Sequence, residues 1–152
     1  MQWNAKDLSS LKEVKEYIDT AIVPLLPISL KGDMVQTGSM VEFTQMLSMA
    51  LQVQFTGRTL LFPPFTYWKH EEFSKKSIRL QEWEQTIQNE GFTHIFYFTS
   101  DLDWKHYEAG QGNEVLVLPT VPLESMEEKF KHSMIQDQVK QFINLFVQKW
   151  QQ

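Results

Sequence analysis

Residues Ala21 to Ile28, AIVPLLPI, are apolar at odd and even positions alike, and this constrains the fold more than any other stretch. A strand with one wet face alternates polar and apolar residues. One that is apolar on both parities needs cover on both sides, as in a parallel sheet sandwiched between helices. Pro24 stands against a central position, because proline has no N–H for the ladder and belongs at edges or bulges.

The flanking sequence supplies the covering helices. After Asp7, read as an N-cap, Leu8, Leu11, Val14, Tyr17 and Ile18 recur every three or four residues, with Lys12, Glu13, Lys15 and Glu16 on the other side. Beyond a polar loop from Ser29 to Gly38, Ser39 and Glu42 form a capping box for a second helix, whose apolar face runs to Phe55 before Gly57 stops it. Thr59 to Phe62 reads as a short strand closed by Pro63 and Pro64, and a third helix runs from Ser77 to a stop at Gly91. Phe92 to Thr99 has the aromatic and β-branched content of a strand, and Glu114 to Leu118 is another, ended by Pro119 and Pro122. Ser100 to Asn113 is a loop with room for a helical turn. A second capping box, Ser125 and Glu128, opens a helix that keeps its period to Trp150, with a break expected near His132 or Ser133 because one straight helix would overhang a small sheet.

This alternation predicts a three-layer αβα domain with a mostly parallel sheet of about four strands, Rossmann-like or flavodoxin-like. The 152 residues suit one such domain. In open sheets of this class, ligands sit beyond the carboxyl ends of the strands. The loops 29–37, 65–72, 100–107 and 120–124 all fall there, and two of them carry the triplet Trp-Lys-His: Trp68, Lys69 and His70, then Trp104, Lys105 and His106. The candidate site or contact surface therefore comprises Phe65, Tyr67, Trp68, Lys69, His70, Asp101, Asp103, Trp104 and His106. Phe65, Tyr67 and Trp68 are equally the residue types of a core.

Specific chemistries find little support. His70 and His106, with Asp101, Asp103 and Glu71, are the ligand types of a divalent metal, yet HExxH and His-x-His are absent and no cysteine exists. Histidines beside lysine and glutamate are ordinarily solvated. Ser29 or Ser100 with Asp33 or Asp101 and His106 would make a hydrolytic triad, but GxSxG is missing and serine at a strand end is usually a turn residue. Gly110-Gln111-Gly112 precedes a strand instead of following one, so it reads as a turn and not a dinucleotide loop. No P-loop is present, and no cofactor is expected.

A net charge of -5 opposes nucleic-acid binding by phosphate neutralisation. The start MQWNAKDL lacks the order of a signal peptide, and the longest apolar run is too short to span a bilayer. A cytosolic location without membrane insertion is expected.

At MQWNAKDL, EYIDTAIVPLLPISL and FTGRTLLFPPFTYWK the sequence resembles the YpiF-like family of small uncharacterised proteins from Bacillus-type bacteria. These segments cover roughly the first 70 residues. The resemblance implies a cytosolic bacterial protein and brings no catalytic residues with it. Two readings of function follow. One is a non-catalytic interaction or regulatory domain that binds a protein partner through Phe65, Tyr67 and Trp68. The other is a small-molecule hydrolase using His70, His106, Asp101 and Asp103.

Overall fold

The computed structural model describes residues 1–152. Nine regular elements follow in chain order: α1 (Ala5–Val14), β1 (Thr20–Ile28), α2 (Met34–Gln54), β2 (Thr59–Leu61), β3 (Phe65–Trp68), α3 (Phe73–Asn89), β4 (His94–Thr99), β5 (Glu114–Val117) and α4 (Glu128–Trp150). The sheet is parallel throughout, in the order β2-β1-β4-β5, with β3 also paired to β1. The expected three layers are present: α1 and α3 cover one face, α2 and α4 the other.

The sheet has five strands, in keeping with the expected mostly parallel sheet of about four. Phe65 to Trp68, anticipated as loop, returns to β1 after the two prolines and pairs Leu25 with Phe65 through Ile28 with Trp68. β2 and β3 thus lie end to end along β1, whose nine residues serve both. Their registers differ by one: Ile22 pairs with Leu61, but Leu25 pairs with Phe65. The extra residue is a bulge at Pro63-Pro64.

That bulge explains how β1 tolerates its prolines. Thr20 N–H donates to Arg58 O and Ile22 O accepts from Phe62 N–H, so even residues of β1 address the β2 side. By the same alternation Pro24 turns its donor-less nitrogen toward Pro63-Pro64, where the ladder is already interrupted. Odd residues address β4, as Asp19 O does in accepting from Thr93 and His94. Pro27 is odd but lies beyond Pro24, the last residue of β1 in register with β4. Neither proline leaves a ladder bond unmade.

The two faces of the sheet bury opposite parities. Ala21, Val23, Leu25, Ile95 and Tyr97 pack with α1 and α3, whereas Ile22, Phe96 and Phe98 pack with α2 and α4. β1 is covered on both sides, as its composition requires.

Helix starts depart from the expected caps. Asn4 caps α1, its side chain accepting from Asp7 N–H. α2 begins at Met34, so Ser39 is internal and buried; its hydroxyl donates to Glu124 and accepts from Leu123 N–H, serving tertiary structure instead of a cap. α3 begins at Phe73, four residues before the expected start. α4 begins at Glu128 without a side-chain cap, and no break occurs at His132 or Ser133. It runs unbroken, with Ile135, Val139, Phe142, Phe146 and Trp150 packed against one core cluster and Phe146 stacking on Phe96 at 4.0 Å. No helix is long and apolar enough to cross a membrane.

Candidate functional site

The carboxyl ends of β3 and β4 are tied by a cluster of ionised and aromatic side chains. Tyr67 points inward from β3 and donates its phenol to Asp101 Oδ2 at 2.5 Å, while Trp104 Nε1–H donates to the same phenol oxygen at 2.7 Å. Burial, and then the negative charge of Asp101, push the Tyr67 phenol far above its ordinary range, so it stays a donor. Asp101 follows β4, where its own N–H donates to Thr99 Oγ1 and its Oδ1 accepts from Asp103 N–H. A turn of 3-10 helix at Leu102–Trp104 then folds Trp104 back beneath Tyr67. This is the helical turn expected in the loop.

Cations neutralise the carboxylates. Lys69 Nζ lies 3.1 Å from Asp101 Oδ1 and 2.9 Å from Asp103 Oδ2. Lys76, from the first turn of α3, sits 3.3 Å from Asp103 Oδ2 and donates to Lys69 O at 3.3 Å. Lys76 is only 1% exposed, with its ammonium 4.7 Å from the Tyr67 ring, 5.7 Å from Phe73 and 5.9 Å from Trp104. Two carboxylates and two ammonium groups leave the cluster electroneutral, which is the condition for holding charge at the rim of a core.

Outside this cluster, Ser29 and Asp33 from the loop after β1 meet His70. The Ser29 hydroxyl donates to Asp33 Oδ1 at 2.5 Å, and His70 Nε2 lies 2.9 Å from Asp33 Oδ2. Ser29 first, and then His70, hold Asp33 below the usual carboxylate range against burial. The carboxylate stands between hydroxyl and imidazole, so His70 does not reach the serine. Ser100 donates to Pro119 O at 3.3 Å. The Ser-His-Asp order that nucleophilic hydrolysis needs is therefore not assembled.

The candidate residues divide into three groups. Tyr67, Lys69, Asp101, Asp103 and Trp104 come together in the ion cluster, and Phe65 packs edge-on against Trp104 within the core. Trp68 stands 54% exposed on the opposite face of β3, near Leu30 and Met34. His70 joins Asp33, while His106 is exposed and takes no part in either group. The two Trp-Lys-His triplets thus play different parts, Trp68 facing solvent and Trp104 wholly buried. No three side chains of the metal-ligating types are gathered at one point.

Lys76 and Ser29 complete these groups, and Lys76 escaped the reading of the sequence. A signal existed, because Lys76 precedes Leu80 by four residues and Trp83 by seven, on the apolar stripe of α3. Glu84, four residues after Leu80, was missed for the same reason; it is buried, accepting from Tyr97 O–H at 2.6 Å and Gly110 N–H at 2.9 Å.

Beside the ion cluster the surface is apolar and indented. Pro27, Ile28, Leu30, Met34, Val41 and Trp68 line a cleft of about 390 Å³. A second, of about 330 Å³, lies between Leu30, Lys31, Trp68 and His70.

Fold and site together define a three-layer α/β protein with a parallel five-stranded sheet and a neutralised ion cluster at its carboxyl edge. The chain belongs to the family described as Protein of unknown function (DUF2487), which it matches over residues 9–150. It is 31% identical to the uncharacterized protein YpiF of Bacillus subtilis (strain 168), over 99% of this chain and 98% of that protein. Among solved structures, a putative creatinine amidohydrolase from Bacteroides fragilis NCTC 9343 aligns with a TM-score of 0.43 at 12% identity, covering 77% of this chain and 57% of that one.

Proposed function

We propose that this chain acts in the cytosol as a single-domain, non-catalytic interaction module that binds a protein partner at the carboxyl edge, beside Trp68. The observation that carries this reading is the contrast between neighbouring surfaces. Lys69, Lys76, Asp101 and Asp103 spend their charges on one another, whereas Trp68 and Leu30 offer large apolar side chains to solvent at 54% and 78% exposure. An exposed tryptophan beside an apolar cleft is the usual make-up of a contact anchor, and the internally paired charges of the cluster leave it no free acid or base. Affinity capture with the intact chain, run in parallel with Trp68→Ala, tests it. A protein held by the wild type and released by the variant is the expected result, and capture that ignores the substitution overturns the reading.

A second reading, a small-molecule hydrolase, draws on one observation. Asp33 orients His70 at the rim of the 330 Å³ cleft, where the other imidazole nitrogen could accept a proton from water. Turnover of ester and amide substrates that disappears in His70→Gln would favour it over the first.

A further inference from the structure

The outer edge of β3 carries open backbone groups where the adjoining edge of β2 does not. Met1 lies along β2, its amino group donating to Thr59 O and its carbonyl accepting from Leu61 N–H, both at 2.9 Å. β3 pairs with β1 alone. Lys69 N–H donates inward to Ile28 O, so odd residues here face β1 and Thr66 and Trp68 turn their N–H groups outward. The outward carbonyl of Trp68 receives Glu71 N–H in a turn, and that of Thr66 is open.

Each end of this open edge adjoins an apolar cleft. At the Pro63 end, Trp3, Phe62, Pro63, Trp83 and Ile87 surround about 490 Å³ on the α1 and α3 face. At the Trp68 end lies the 390 Å³ cleft on the α2 face. The two clefts lie on opposite faces of the sheet, so one added strand reaches both only through side chains an odd number of residues apart. Charges of opposite sign stand near the two ends: Glu82 lines the first cleft, Lys31 lines the neighbouring 330 Å³ cleft on the other side of Trp68, and both are exposed and outside every ion pair.

We propose that an extended peptide segment of a partner protein adds as a strand to the outer edge of β3, with an apolar anchor in each cleft, a basic residue toward Glu82 and an acidic one toward Lys31. This rests on the interaction reading above and specifies how the contact is made. Strand addition uses main-chain hydrogen bonds for affinity and alternate side chains for selection. A second copy of this chain fits less well. Antiparallel pairing of β3 with its own copy brings Trp68 over the exposed face and leaves the Trp3 cleft below unfilled.

The test is a random heptapeptide library displayed against the intact chain, with enriched peptides synthesised and titrated by fluorescence anisotropy. Enriched sequences are expected to carry two apolar residues an odd number of positions apart, one for each face, between ends of opposite charge. Thr66→Pro removes one outward N–H without touching the ladder to β1, and binding should weaken about tenfold, as for loss of a net hydrogen bond or two. Thr66→Val keeps the N–H and should bind as the wild type does. Should Thr66→Pro unfold β3, peptides N-methylated on alternate amides make the same test on an unaltered chain. Peptides that ignore Thr66→Pro and N-methylation but are lost in Trp68→Ala would overturn strand addition and leave the interaction reading standing. Peptides indifferent to all three changes, or no enrichment, would overturn both. A dimer in sedimentation that is abolished by Thr66→Pro and unaffected by peptide would assign the edge to a second copy.

Discussion

Tyr67 and Asp101 are 34 residues apart in the chain, and their side chains meet at 2.5 Å. The strands that deliver them are not neighbours, since β1 runs between β3 and β4. Tyr67 is in register with Pro27, beyond the last pairing of β1 with β4. The phenol and carboxylate thus close the sheet's carboxyl edge across a strand end that the backbone ladder leaves open.

Asp101→Asn should be among the more damaging single changes. Asp101 is 1% exposed and serves Tyr67, Lys69 and the Asp103 N–H together. Breaking a buried pair while its partner remains costs about 3 kcal/mol. Lys76→Met should cost only about 1 kcal/mol, because Asp103 keeps Lys69 and the methionine refills the space among Tyr67, Phe73 and Trp104. Urea denaturation of both variants measures the difference; equal losses would show that Asp101 is not the centre of the cluster.

The same cluster sets a pH window. Burial works against the Asp103 charge, but Lys69 and Lys76 outweigh it and hold the carboxyl below its ordinary 3.8. Burial likewise works against the Lys69 charge, and Asp103 and Asp101 outweigh it, holding the ammonium above 10.5. A depressed carboxylate contributes stability that is whole above 3.8 and lost as pH falls through its folded value. A raised lysine contributes stability that is whole below 10.5 and lost as pH rises through its folded value. Denaturation midpoints should therefore be level between these limits as far as this pair is concerned, and Asp103→Asn should flatten the acid limb. An acid limb identical to the wild type's would place the titrating group elsewhere.

Trp68→Ala should separate contact from stability. The side chain is more than half exposed and lies outside both core clusters, so unfolding free energy should change by about 0.5 kcal/mol or less. Partner affinity, if Trp68 is an anchor, should fall by at least about tenfold. A large loss of stability would instead make Trp68 a structural residue.

Two glycines should respond in opposite directions. Gly112 has a φ of +88°, and a Cβ there would lie 2.6 Å from Thr93 O, so Gly112→Ala should destabilise by about 1–3 kcal/mol. Gly38 is inside α2 with nothing within 4 Å of an added Cβ. Gly38→Ala should stabilise by about 0.5–1 kcal/mol. Thermal unfolding of the pair decides it.

The central strand and the layer order were legible because burial on both faces leaves a mark at every position, as in Ala21 to Ile28. β3 was not legible as a strand, since Pro63-Pro64 is a stop signal unless the partner strand carries its own proline opposite, and that matching is a tertiary fact. The cap boxes misled because Ser39 found Glu124 and Leu123 instead of its own helix end. At the site, the residue types and their edge of the sheet were readable. Their division into a sealed cluster and an exposed tryptophan was not, because the bulge decides which side of β3 each residue takes.

That one-residue excess works as a frame setting. Leu60 and Phe62 of the first half-edge face the α1 and α3 layer on even numbers, whereas Phe65 and Tyr67 reach the same layer on odd ones. Were the strand to run on from Phe62 with both prolines kept and no bulge, the two sides of β3 would exchange. Tyr67 would turn to solvent and Trp68 would be driven toward Lys76 and Asp101, whereas loss of one proline codon would remove the excess and leave each residue on its present side.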